Sequence, residues 1–104
     1  FPFWLAPEQL RVLPISDRHH AYADGVRAQL HAAGFRAGVD ARSESVGRRI
    51  RDGELAKIPY VLVAGDREAE SGTVSVRARH GGDEGTATVD ALIARLAASA
   101  PAPA

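Results

Sequence analysis

A chain of 104 residues, 45% hydrophobic and 25% charged, has the balance of a one-domain globular protein with a core of its own. Thirteen basic residues meet thirteen acidic ones for a formal charge of zero, which excludes a protein that coats nucleic acid by bulk electrostatics. The lack of cysteine excludes disulfides and thiolate metal sites and suits a cytosolic setting, and no apolar run reaches membrane-spanning length.

The chain begins with Phe1 and contains no methionine, so a domain of a longer protein is expected. Residues 1–8 read as a lead-in linker, 9–97 as the folded domain, and the Ala/Pro-rich 98–104 as an unstructured tail.

In chain order, "QLRVLPI" (9–15) is apolar and β-prone, and Ser16 or Asp17 is placed to cap the helix that follows. From 18 to 33, Tyr22, Val26, Leu30 and Ala33 recur at helical spacing, and Gly34 supplies a left-handed stop. "FRAGVD" (35–40) is a short second strand. Ser43 or Ser45 then caps a helix running to about Lys57, with Val46 and Ile50 on one face and Gly53 inside it, and Pro59 ends it.

"YVLVAG" (60–65) is a continuous apolar run of strand length, the pattern of a strand covered on both faces. "DREAESG" (66–72) reads as a turn-rich connection. In the next strand Val74, Val76 and Ala78 alternate with Ser75, Arg77 and Arg79, so one face is apolar and the other carries two arginines. "HGGDEG" (80–85) marks a turn, and a short fifth strand follows near 85–88. Thr88 or Asp90 opens a last helix with Val89, Leu92, Ile93 and Leu96 in one stripe. The order β-α-β-α-β-β-β-α predicts an α/β sandwich of two or three layers, with a five-stranded mixed sheet and three helices.

Catalytic signatures are few. No Gly-Lys-Ser/Thr phosphate loop and no Gly-x-Gly-x-x-Gly follows the first strand. The histidines are His19, His20, His31 and His80. His20 and Asp24 share a helix face, but two ligands without a third make no metal site. Ser16, Asp17 and His19 are neighbours along the chain, which does not face them productively for nucleophilic catalysis. Asp17 follows the first strand, where doubly wound folds place functional carboxylates. A phosphoryl-accepting site there also wants further acids and a late lysine, and the sole lysine is Lys57.

What remains is a charge arrangement. Arg42, Arg48, Arg49 and Arg51 fall within ten residues around the start of the second helix, as an ordinary basic outer face also does. Glu68 and Glu70 lead into the Arg77 strand. Acid and base on one edge suit a plain ion pair. They equally suit base recognition, since an arginine fork matches guanine O6 and N7 while a carboxylate accepts from base amino groups. Single-stranded RNA loops expose those edges.

"FPFWLAPEQLRVLPISDRH", "YADGVRAQLHAAGFRAGVD", "VGRRIRDGELAKIPYVLVAGDREAESGTVSVRAR" and "DALIARL" together resemble the anticodon-binding domain family of class II aminoacyl-tRNA synthetases, from about Phe1 to Leu96. The Gly-x-x-Ile-Arg helix and the "KIPYVLV" and "VSVR" strands are shared with glycyl, prolyl and histidyl members. The opening Pro2, Trp4, Leu5, Ala6, Pro7 and Gln9, with "GDREAESG" before the arginine strand, resembles the threonyl branch.

The resemblance implies a five-stranded mixed sheet with three flanking helices, and a part in binding the anticodon loop of threonine tRNA, with G in the middle and U third. On it, Arg77 falls on the arginine that reads the middle guanine and Glu68 on its acidic partner. Arg49 and Arg51 match basic positions near the loop backbone, and Arg79 is expected on a phosphate or on Glu70. Ser43 stands where familiar bacterial members have an asparagine on the last anticodon base, a contact that water, Arg42 or Glu44 would then supply. Ser45 likewise replaces a frequently basic residue.

The resemblance further implies no catalytic site, metal or cofactor in this chain, with ATP and zinc confined to a parent catalytic domain. That domain is the expected partner besides the tRNA, in a cytoplasmic parent homodimer whose isolated fragment is a monomer with no membrane contact. Three alternatives remain: the equivalent domain of a glycyl, prolyl or histidyl synthetase, a free-standing paralogue acting in protein interaction, and more remotely a small enzyme using Asp17.

Overall fold

In the computed structural model, residues 3–79 and 82–98 are described. Five strands and four α-helices alternate as β1 (Leu10–Pro14), α1 (His20–Ala32), β2 (Ala37–Val39), α2 (Val46–Leu55), β3 (Tyr60–Ala64), α3 (Asp66–Ser71), β4 (Thr73–Ala78), β5 (Gly82–Thr88) and α4 (Val89–Ala98), with short 3₁₀ turns at Phe3–Leu5 and Asp17–His19. The strands form one mixed sheet in the order β2-β1-β3-β4-β5. β1 runs parallel to β2 and β3, and β4 and β5 add antiparallel neighbours.

The continuous apolar run of 60–65 becomes the middle strand, as its two-sided hydrophobicity predicts. Leu10, Val12, Leu62, Ala64, Val74 and Val76 form the buried face of the sheet. Ala23, Val26 and Leu30 of α1 and Val89, Leu92 and Leu96 of α4 pack on it; of the expected stripes, Tyr22 and Ile93 are partly buried against it and Ala33 is exposed. α2 crosses the other face, over β1. Ser45 caps α2, its hydroxyl accepting from Arg48 N at 3.1 Å, and Thr88 caps α4 through Ala91 N at 3.1 Å.

Three expectations change. The segment 66–72 is not a turn-rich connection but a helix, α3, closed by Gly72 at φ 69°. Its start is a capping arrangement, Glu68 accepting from Gly65 N at 2.9 Å. The fifth strand begins at Gly82 rather than near 85, with a register shift opposite Ser75 and Arg77. Residues 3–8 are no loose linker: Phe3 lies 6.1 Å from Phe35 and 5.7 Å from Tyr60 between ring centres, and Ala6 is fully buried. Phe1 and Pro2 of the opening motif, His80 and Gly81 of the turn, and 99–104 of the tail fall outside the described residues. Among the described residues no helix is long and apolar enough to cross a membrane.

Candidate functional site

The second sheet face is where the predicted residues diverge. Gly53 brings α2 down onto β3, since a Cβ there would stand 3.0 Å from Val61 Cγ2. Val61 pairs with Arg77 across the β3–β4 ladder, Val63 with Ser75, and Ser75 in turn with Thr86. Alternation along β4 turns Val74 and Val76 into the core, so Ser75 and Arg77 stand on the α2 side, beyond the helix. Arg77 is half-buried. Among the described residues no group accepts a hydrogen bond from its guanidinium and no carboxylate pairs with it. Asp83, its partner in register, turns its carboxylate to Gly85 N at 2.8 Å.

Arg79, two residues on, is engaged. Its Nε donates to the Glu54 carbonyl at 3.1 Å and its N–H to Pro59 O at 2.8 Å. It closes the C-terminal end of α2, where carbonyls without helical partners attract cations, and it does not pair with Glu70.

The loop after β2 is built around two arginines. Arg42 donates to both oxygens of Asp40 at 2.8 Å each and to Asp52 at 2.8 Å. Those bonds hold the Asp40 carboxyl below its ordinary value against the opposing effect of burial. The Arg42 fork is therefore spent within the protein. Arg49 departs further from the expected basic outer face. It is 2% exposed, and one guanidinium nitrogen donates at 2.8 Å to both Pro14 O and Asp40 O, at the ends of β1 and β2. Its Nε has no partner among the described residues. The side chain is a strut inside the fold.

Ser43 is exposed at the rim of a cleft of about 230 Å³ whose walls include Ser16, Asp17, Arg42 and Arg49. Arg51 is exposed, with no side-chain partner among the described residues. Arg48 faces Glu44 at 3.8 Å.

Glu68 is buried, and its bond to Gly65 N fixes the start of α3. The nearby Tyr22 phenol, donating to Thr73 O at 2.6 Å, has its pKa raised by burial and by the Glu68 charge. Gly65 lies four residues beyond Val61, about 13 Å along an extended strand. The structure therefore does not bring Glu68 and Arg77 into contact.

Sequence reading missed one cluster. At the ends of β1 and β3, where the crossovers of a parallel sheet diverge, buried His19 lies with Nε2 2.6 Å from Asp66 Oδ1. Its Nδ1 accepts from Ser16 N at 3.2 Å, and Arg18 also bonds Asp66. Asp66 opening α3 beside a buried histidine was visible only once 66–71 was seen as a helix. Among the described residues no three His, Cys, Asp or Glu side chains converge as a metal site requires.

The family model described as "Anticodon binding domain" matches residues 9–99. Threonine–tRNA ligase of Acidobacterium capsulatum is 55% identical over 95 residues, 91% of this chain and 14% of that ligase. The ligase of Syntrophomonas wolfei is 61% identical over 85 residues, 82% of this chain and 13% of its own. The chain therefore spans only a small part of the curated ligases it matches. Among solved structures, the RNA binding domain of threonyl-tRNA synthetase from Cryptosporidium parvum superposes with a TM-score of 0.87 at 34% identity, covering 94% of this chain and 25% of that one. Prolyl-tRNA synthetase from the same organism shares the fold, with a TM-score of 0.85 at 22% identity over 94% of this chain and 22% of its own. With the family model spanning nearly all of the described sheet and helices, the chain belongs to the anticodon binding domain family.

Proposed function

We propose that this chain is the anticodon-recognition module of a threonine–tRNA ligase and reads the anticodon loop of threonine tRNA. The observation that carries the reading is Arg77, a half-buried fork without a partner among the described residues, in a chain 55% identical over 95 residues to a threonine–tRNA ligase. A bidentate arginine–guanine pair supplies about 1–3 kcal/mol of base discrimination. The module's zero formal charge suits a reader tethered to a second tRNA contact. Tethering raises effective concentration, so a weak module still decides specificity.

On this reading the ligase activity, with its ATP and zinc, belongs to a catalytic domain elsewhere in a cytoplasmic homodimeric parent. Ser43, Arg51 and Arg77 remain available to the loop, Ser43 facing the third base. Arg42, Arg49, Glu68 and Arg79 shape the site from within.

The test is an amide NMR titration at low salt with a threonine anticodon stem-loop and a twin whose middle G is replaced by A. Shifts at Arg77 and its β4 neighbours that weaken with the A twin are expected. Shifts that ignore the base change, or none, reject the reading.

A further inference from the structure

Arg77 shares its sheet face with a second uncommitted polar group. Ser75 pairs with Val63 of β3 and Thr86 of β5, while Arg77 pairs with Val61 and Asp83. The β3–β4 ladder runs unbroken from Tyr60 to Val63. Alternation therefore puts Ser75 and Arg77 on one face, about 7 Å apart along the strand. On that face Val61 is buried beneath Gly53 of α2, whereas Val63, Ser75 and Arg77 are half-buried and Thr86 is exposed. Like the guanidinium, the Ser75 hydroxyl has no hydrogen-bond partner among the described residues.

On the β5 side the ladder breaks between these two residues. Glu84 and Gly85 stand opposite Val76 alone, a bulge with Gly85 at φ 84°. Bulges recur next to active sites, where they re-aim a side chain. Here that side chain is Asp83, whose carboxylate accepts from Gly85 N at 2.8 Å rather than from the arginine across the ladder.

A guanine whose O6 and N7 are taken by an arginine fork still carries an amino group on its opposite edge, which wants an acceptor once water is displaced. A serine hydroxyl offers two lone pairs, and a purine bridges such a spacing from edge to edge. Glu68 does not compete, since it is buried and accepts from Gly65 N. We infer that Ser75 accepts a hydrogen bond from the 2-amino group of the guanine that Arg77 reads, an inference that rests on the anticodon reading above. Arg77 then selects the base by O6 and N7, and Ser75 selects guanine from purines that lack the amine.

The experiment measures affinity of the 104-residue chain for three anticodon stem-loops, with guanine, inosine or adenine in the middle. Guanine to inosine removes only the amino group, and inosine to adenine changes the edge that Arg77 meets. Wild type should prefer guanine to inosine by about threefold to tenfold, the worth of one hydrogen bond. Ser75→Ala should bind those two alike, keep the preference for inosine over adenine, and melt as wild type does. Ser75→Thr keeps a hydroxyl and should keep the guanine preference. Arg77→Ala should instead narrow the inosine–adenine gap. A wild type blind to the amino group overturns the Ser75 assignment and leaves the anticodon reading standing, as does a guanine preference that survives Ser75→Ala or is lost in Asp83→Asn instead. A wild type that binds all three stem-loops alike, or none, overturns both.

Discussion

His19 Nε2 lies 2.6 Å from Asp66 Oδ1, joining the loop after β1 to the first residue of α3 across the C-terminal edge of the parallel strands. Because His19 Nδ1 accepts from Ser16 N, Nε2 is the nitrogen that donates to Asp66. The bonds from His19, and then from Arg18, hold the Asp66 carboxyl below its ordinary value of 3.8. A depressed carboxyl stabilises the fold above the unfolded value and stops doing so as pH falls through the folded one. Asp66→Asn should therefore melt below wild type at neutral pH, and the gap should close as pH drops below 3.8. Thermal melts from pH 7 to 2 check this. A gap that stays constant would mean that the carboxylate's charge contributes nothing there.

Arg49 makes the opposite kind of contact, a buried cation held by the carbonyls of Pro14 and Asp40. Removing it leaves both acceptors without that donor and empties the space beneath α2. Arg49→Ala should cost about 2–4 kcal/mol of unfolding free energy, from unmade hydrogen bonds and lost packing. Urea denaturation measures it. If stability is unchanged while RNA binding falls, Arg49 belongs to the surface after all.

The contrast between Arg49 and Arg77 marks the limit of what the sequence discloses. Arg77 was legible because strand alternation fixes its face once Val74 and Val76 are inward. Arg49 was not, because four arginines between 42 and 51 look alike on a helical wheel. Which one turns inward depends on Gly53 seating against Val61, a tertiary contact. α3 was missed for a different reason. Its six residues are too few for a periodic stripe, and only its ends, Gly65 with Glu68 and then Gly72, carry the signal. The capping role of Glu68 was hidden with it, since a residue assigned to a loop offers no helix to cap.

That reassignment has a measurable consequence. If Glu68 is chiefly the cap of α3, Glu68→Ala should lower the stability of the chain without RNA by about 1–2 kcal/mol, the range for a lost helix cap. Glu68→Gln, which keeps an acceptor for Gly65 N, should lose less. Equilibrium unfolding of the two variants separates this from a base-reading role, which would leave the free chain's stability untouched in both.

Arg77 should behave in the reverse manner. Its guanidinium has no partner among the described residues, so Arg77→Ala removes no bond to any of them, and the melting temperature should stay within a degree or two, as for substitutions away from structural features. The loss should appear only with RNA, as about 1–3 kcal/mol less discrimination for the middle guanine. Arg77→Lys should not restore it, because an ammonium lacks the planar fork that spans O6 and N7. Placed in a full-length ligase, Arg77→Ala should slow charging of threonine tRNA and leave threonine adenylation intact, since activation of the amino acid does not consult the anticodon. Aminoacylation and pyrophosphate-exchange rates on the same preparation decide it. An unchanged charging rate would remove Arg77 from the reading of the loop, and a parallel fall in both rates would point to damage in the enzyme as a whole.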